Sequence, residues 1–135
     1  MTPDEARALL EVSHHAVLAT FRTDGRPQLS PVLAGVDAEG RAIVSTPGAS
    51  AKARNLRRDP RAALCVVTDA FYGPWAQVEG TLEVVEQPDS LELLVDYYRR
   101  LTGEHPDWDD YRRAMVKERR VLLRMTIERT AGIPG

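Results

Sequence analysis

The sequence predicts a mainly β protein, an antiparallel β-barrel with short helices, and two observations favour this fold class. Apolar strand segments follow one another across tight turns such as residues 23–26, which have Asp-Gly at their centre. Few connections are long enough for the crossovers that a parallel sheet needs. The length of 135 residues suits one domain, residues 1–135, with a core of its own.

The first half of the chain predicts a helix, three strands and a second helix. Residues 3–12 form a short helix with Pro3 in its first turn. Residues 14–21, 28–36 and 41–46 form an antiparallel meander, in which Pro31 indicates a sheet edge or a bulge. Ser50 then caps a helix of about two turns, which ends before Pro60.

The second half adds three strands and two helices, for a total of six strands and four helices. Residues 61–68 form a strand with a continuous apolar centre, in which we expect Cys65 to be a small core residue. Residues 75–86 alternate between apolar and polar positions. A helical stripe over 91–101 ends at Gly103, Asp107 caps the next helix, and residues 121–127 form the last strand.

Basic charge is concentrated in one short segment of an otherwise acidic chain. The formal net charge is −2, yet five of the ten residues from 52 to 61 are basic. Lys52 lies in the first turn of the predicted helix, where a cation opposes the helix dipole unless an anion also binds there. Arg54, Arg57 and Arg58 fall on one helical face. The segment predicts a phosphate site, and the alternative is a solvated basic face with surface ion pairs.

Several function classes are disfavoured. We expect no metal site, because His14 and His15 point to opposite faces of a strand and His105 stands alone. The basic segment is short and lacks interleaved aromatic residues, which disfavours nucleic-acid binding. No apolar run reaches the roughly 20 residues of a membrane span. The N-terminus shows no signal-peptide pattern, and the single cysteine fits a reducing compartment, so we expect a cytoplasmic protein.

Sequence motifs in several segments match a known family in the expected order. The chain resembles the pyridoxamine-phosphate-oxidase-like split β-barrel proteins, and within them the actinobacterial branch that uses the deazaflavin coenzyme F420. The matching stretches are residues 16–20, 24–30, 52–61, 79–81, 103–105, 107–112 and 119–123. The resemblance implies a six-stranded split β-barrel that pairs into a homodimer, with two cofactors at the interface.

The resemblance also implies a set of cofactor-binding residues. Those on the second strand would line the flavin-like ring: Gln28, Ser30, Pro31, Val32 and Leu33. Ser45 and Thr46 would approach the ring or its ribityl chain. A basic group would hold the phosphate and the acidic tail: Lys52, Arg54, Asn55 and Arg58. Trp75 follows an irregular segment and is expected at a pocket mouth, whereas Tyr97, Tyr98, Trp108 and Tyr111 are expected in core or dimer packing.

The departures from the family pattern narrow the implied function. Oxidases that use flavin mononucleotide (FMN) typically carry Arg-x-Val-Leu-Leu-Lys on the second strand, whereas residues 28–33 here hold neither cation. The resemblance therefore implies an F420-dependent oxidoreductase that transfers a hydride to an unsaturated acceptor of the quinone, enone or tetrapyrrole type. The alternatives are an FMN-dependent reductase on the same fold and a non-catalytic carrier of cofactor or haem.

Overall fold

The computed structural model describes all residues from 1 to 135 and contains six strands and four helices. In chain order they are α1 (Pro3–Val12), β1 (His15–Phe21), β2 (Pro27–Val36), β3 (Ala42–Pro47), α2 (Ala51–Arg58), β4 (Arg61–Val67), β5 (Trp75–Val85), α3 (Ser90–Thr102), α4 (Trp108–Lys117) and β6 (Arg120–Ile133). The strands close into an antiparallel barrel in the order β1-β2-β3-β6-β5-β4. The predicted fold class is therefore confirmed. No helix has the length and apolar character needed to cross a membrane.

Local sequence signals set most element boundaries. Ser50 Oγ accepts a hydrogen bond of 3.2 Å from the Ala53 N–H and begins α2, and Asp107 caps α4 in the same way. Gly103 ends α3 with a φ of 97°, a backbone conformation that glycine adopts without strain. The last strand is longer than predicted and runs to Ile133, because β5 continues to pair with it beyond a bulge at Gly80.

Apolar side chains form two layers of core. One fills the barrel interior, with Leu18, Leu64 and Leu123 fully buried. The other lies outside the barrel, where α3 and α4 cover β3 and β6 and bury Ile43 and Leu122. Strands β3 and β6 are therefore buried on both faces at this point, and the edge of the helical layer forms one side of the candidate site.

The expectation for Cys65 was wrong, because its side chain is exposed. Cys65 pairs in register with Val17 of β1, whereas its neighbour Leu64 pairs with Leu18 and points into the barrel. The uniformly apolar centre of β4 gave no alternation from which the inward face could be read.

The expectation for Pro31 is confirmed. Pro31 lies at an edge, since β3 pairs with β2 only from Ala34 onward.

Candidate functional site

An open cleft of about 580 Å³ lies between strand β2, the start of helix α2 and the outer helices α3 and α4. Fourteen residues line it: His15, Ala16, Pro31, Val32, Leu33, Ser45, Thr46, Pro47, Lys52, Tyr97, Tyr98, Tyr111, Met115 and Arg120. Most are apolar or aromatic, and none is acidic. Such a lining suits a flat apolar ligand that carries negative charge.

Half of the residues that the sequence singled out for cofactor binding meet in this cleft. They are Pro31, Val32, Leu33, Ser45, Thr46 and Lys52. The structure brings them together because β2 and β3 are neighbouring strands and α2 begins just beyond β3. Their role in binding a cofactor remains a prediction.

Lys52 is the basic residue of α2 that reaches the cleft. It lies in the first turn, where the leading N–H groups of a helix have no partner within the helix. Partial burial lowers the pKa of the Lys52 ammonium, and the nearby charge of Arg120 lowers it further. The cleft thus contains a lysine ammonium at the start of a helix, a position that favours a bound anion.

The arginines of the basic segment are engaged elsewhere, although the sequence suggested an open face of Arg54, Arg57 and Arg58. Their partners are the Ala49 carbonyl for Arg54 (3.1 Å), the Glu86 carboxylate for Arg57 (2.8 Å), the Phe21 carbonyl for Arg58 and the Asp59 carboxylate for Arg61 (2.8 Å). The Arg61 guanidinium, with its hydrogen bonds, lowers the pKa of Asp59 to about 2. Each of the four side chains therefore contacts a neighbouring part of the protein, and cofactor binding by Arg54 and Arg58 remains a prediction.

Four more predicted residues lie outside the cleft lining. Asn55 is buried and donates to Thr20 Oγ1 at 3.1 Å. Thr20 Oγ1 in turn donates to Gln28 Oε1 at 3.3 Å. Ser30 Oγ is buried without any hydrogen-bond partner, as a group awaiting a ligand or a water would be. Trp75 begins β5, where it pairs with Val67 and Ile133.

Sequence reasoning missed two parts of the cleft: Arg120, and three tyrosines that together form one side of the cleft, called the tyrosine wall below. Tyr97, Tyr98 and Tyr111 line the cleft instead of only filling a core. The Tyr97 hydroxyl donates to the Leu33 carbonyl at 2.7 Å, and the Tyr111 hydroxyl donates to the Leu94 carbonyl at 2.9 Å. Burial raises the pKa of Tyr97, and raises that of Tyr111 to about 12, so both phenols are neutral near pH 7. The signal that could have found this wall was the spacing of its tyrosines on one side of two consecutive helices.

An exposed apolar face adjoins the cleft on the outside of β1, β2 and β4. Its side chains include Leu29 (62% exposed), Leu33 (50%), Val17 (39%) and Cys65. Val17 lies directly between Pro31 and Cys65 in the sheet. Pro31 and Leu33 belong to both the face and the cleft, so whatever covers this face also bounds the cleft.

Comparison with known proteins identifies relatives that match nearly the whole chain. The pyridoxamine 5'-phosphate oxidase family matches residues 2–133. A protein of Mycobacterium tuberculosis named F420H₂-dependent biliverdin reductase is 32% identical over 131 residues, which span 96% of this chain and 86% of that protein.

Two solved structures show the same fold. A conserved hypothetical protein of Mycobacterium tuberculosis superimposes with a TM-score of 0.79 at 29% identity, covering 99% of this chain and 85% of that one. A structure described as F420 reductase gives a TM-score of 0.72 at 22% identity, over 93% of this chain and 94% of that one.

Proposed function

The chain belongs to the pyridoxamine 5'-phosphate oxidase family, and from that premise we propose that it is an F420-dependent oxidoreductase. The observation that carries the proposal is the cleft, where an apolar wall on β2 meets Lys52 at the start of α2. The relative named F420H₂-dependent biliverdin reductase supports this choice of cofactor. When bound, the reduced cofactor supplies a hydride to an unsaturated acceptor, and solvent supplies the proton that completes the reduction.

The residues of the cleft fit such a cofactor. Pro31 and Leu33 present apolar side chains on one face of β2 against which the ring would lie, and Val32 and the unpartnered hydroxyl of Ser30 lie on the other face of the same strand. Lys52, in the first turn of α2, would hold the phosphate. Tyr97 and Tyr111, whose pKa values burial raises, would exclude water from the ring without adding a charge beside it.

A second copy of the chain completes this site. The exposed apolar face on β1, β2 and β4 is continuous with the cleft through Pro31 and Leu33. Packing two such faces together would bury the exposed leucines and close the open side of the cleft. A stable interface of this kind buries more than roughly 2,000 Å² in total. The family resemblance supports the same homodimer.

The cofactor assignment is tested by fluorescence titration of the protein with coenzyme F420 and with FMN, each at two ionic strengths. We expect F420 to bind at least about tenfold more tightly, a difference of about 1.4 kcal/mol. Its advantage should be larger at low salt, because screening of its acidic tail is then weakest. Equal or tighter binding of FMN would overturn the assignment and favour the FMN-dependent reductase.

Turnover separates an enzyme from a carrier. The reduced F420 complex is mixed with a quinone, an enone or biliverdin, and reoxidation is followed by absorbance. If the protein is an oxidoreductase, its bound F420 is reoxidised faster with one acceptor class than with buffer alone, whereas a carrier shows no such difference.

Lys52→Gln should weaken F420 binding by about tenfold or more, and the matched control Lys117→Gln, on the far side of α4, should leave it unchanged.

A further inference from the structure

Lys52 and Arg120 enter the cleft from distant parts of the chain. Lys52 lies in the first turn of α2, and Arg120 is the first residue of β6. The pairing of Arg120 with Pro47 in the β3–β6 ladder brings β6 alongside the segment that leads into α2. No acidic residue lines the cleft beside them. Two neighbouring cations repel each other, and an anion bound between them removes that cost.

The residue before Arg120 has an unusual backbone conformation, and hydrogen bonds hold the carbonyl groups of both residues. Arg119 has a φ of 51°, in the left-handed region that non-glycine residues rarely adopt. The Gly48 N–H donates to the Arg119 carbonyl at 3.0 Å, and Ser90 Oγ and Gln87 Nε2 each donate to the Arg120 carbonyl at 3.1 Å. Strained residues that their surroundings hold in place are concentrated at functional sites.

The Arg120 guanidinium keeps donors free for a ligand. Its Nε donates to Glu118 Oε1 at 3.1 Å, and both of its Nη groups have no hydrogen-bond partner in the protein. The side chain is 29% exposed and belongs to the cleft lining, so Arg120 is partly withdrawn from water beside the cleft. Planar guanidinium groups bind carboxylate and phosphate through two parallel N–H donors.

Three tyrosines form the surface beside these cations. Tyr98 and Tyr111 contact each other with ring centroids 5.1 Å apart, and Tyr97 extends the wall toward β2. Trp108 packs against both Tyr98 and Tyr111 from behind, with centroids 5.7 and 5.6 Å away. The wall is therefore supported by a second aromatic layer and offers a fixed surface to a flat ligand.

We propose that Arg120 and Lys52 form an anion subsite beside the tyrosine wall, which makes Arg120 a specificity-determining residue for flat conjugated ligands that carry a carboxylate or phosphate. The proposal rests on the proposed function only for the identity of the physiological ligand. The anionic group belongs either to the cofactor or to the acceptor, and both sources present the same chemistry to Arg120.

The test uses 2-naphthoate and its neutral isostere 2-naphthamide as probes in calorimetric titrations of the full-length protein. We expect naphthoate to bind at least about tenfold more tightly than naphthamide, as a charge-assisted contact predicts. Arg120→Gln should reduce this preference at least about threefold, because Lys52 remains as the only cation of the subsite. The control Arg113→Gln, an exposed residue of α4 paired with Asp110, should retain it.

A second variant should strengthen naphthoate binding, whereas Arg120→Gln weakens it. Glu118→Gln removes the carboxylate that holds Arg120 Nε and should tighten naphthoate binding by about threefold. This variant decides the question if Arg120→Gln does not fold. Equal binding of the two probes by the wild type, or a full preference in Arg120→Gln, would overturn the proposal, as would unchanged or weaker naphthoate binding by Glu118→Gln.

Titration of Arg120→Gln with F420 identifies the source of the anionic group. A loss of F420 affinity of about tenfold assigns the group to the cofactor, and unchanged F420 affinity with a reduced naphthoate preference assigns it to the acceptor. Failure of the wild type to bind F420 would overturn the proposed function alone, because the naphthoate comparison does not depend on it.

Discussion

Asn55 Nδ2 donates a hydrogen bond of 3.1 Å to Thr20 Oγ1, and this contact ties helix α2 to strand β1 inside the protein. Thr20 is fully buried and Asn55 nearly so. The orientation of α2 determines where Lys52 points, so a contact remote from the cleft helps to position a residue within it. The sequence had suggested a direct contact between Asn55 and the cofactor, which remains a prediction.

Replacing Asn55 with leucine should destabilise the protein by about 1–3 kcal/mol, because the buried Thr20 hydroxyl loses a hydrogen-bond donor. Urea denaturation measures the change. Thr20→Val should have a cost of the same order, and the double variant should cost less than the sum of the two, since both single changes break one shared contact. Strict additivity would contradict this role for the pair.

Anion binding should weaken at high pH because Lys52 loses its proton there. Burial and the charge of Arg120 lower the pKa of Lys52 below the ordinary lysine value. A bound anion favours the protonated form, so F420 affinity is fully present below the pKa of free Lys52 and falls as the pH rises through it. Titrations between pH 7 and 10.5 should show an affinity ratio of wild type to Lys52→Gln that declines from about tenfold toward one. A constant ratio would contradict the role of Lys52.

Gly80→Ala should destabilise the barrel severely. An added Cβ would lie 1.9 Å from the Thr126 carbonyl oxygen across the β5–β6 bulge, and backbone would have to move to accommodate it. Overpacking of this kind costs about 3 kcal/mol, visible as a fall in Tm. Gly135→Ala is the matched control, because its Cβ would meet nothing closer than 4.0 Å. Equal Tm values for the two variants would rule out close packing as the reason for a glycine at position 80.

Leu29→Lys should convert the expected homodimer into a monomer at micromolar concentration, because it places a charge on the exposed apolar face. Sedimentation velocity measures the change, and the control Val116→Lys, at an apolar residue of α4 that is 52% exposed against 62% for Leu29, should remain dimeric. The reactivity of the Cys65 thiol provides a second measurement. It should rise in Leu29→Lys, because Cys65 lies on the same face and a partner would cover it. If the wild-type protein sediments as a monomer at micromolar concentration, the proposal of a homodimer is wrong.

The sequence alone determined the features that depend on residues a few positions apart in the chain. Ser50 and Pro60 bracket α2, Gly103 ends α3, and the Asp-Gly turn joins β1 to β2, because caps, prolines and turns act within a few residues. The alternation of Ala76, Val78 and Leu82 correctly predicted which face of β5 is buried. The basic segment also predicted Lys52 as an anion-binding residue; the structure places Lys52 in the cleft, and its binding of an anion remains a prediction.

Only the tertiary structure decided which side chains share the cleft. Lys52 and Arg120 meet because β3 pairs with β6, and no local pattern encodes a pairing between strands so distant in the chain. Cys65 faces outward because the register with β1 turns Leu64 inward, although an entirely apolar segment carries no sign of its orientation. Arg57 hydrogen-bonds the Glu86 carboxylate and Arg58 the Phe21 carbonyl, partners that the folded barrel brings close from distant parts of the chain, and the binding of a cofactor by Arg58 remains a prediction.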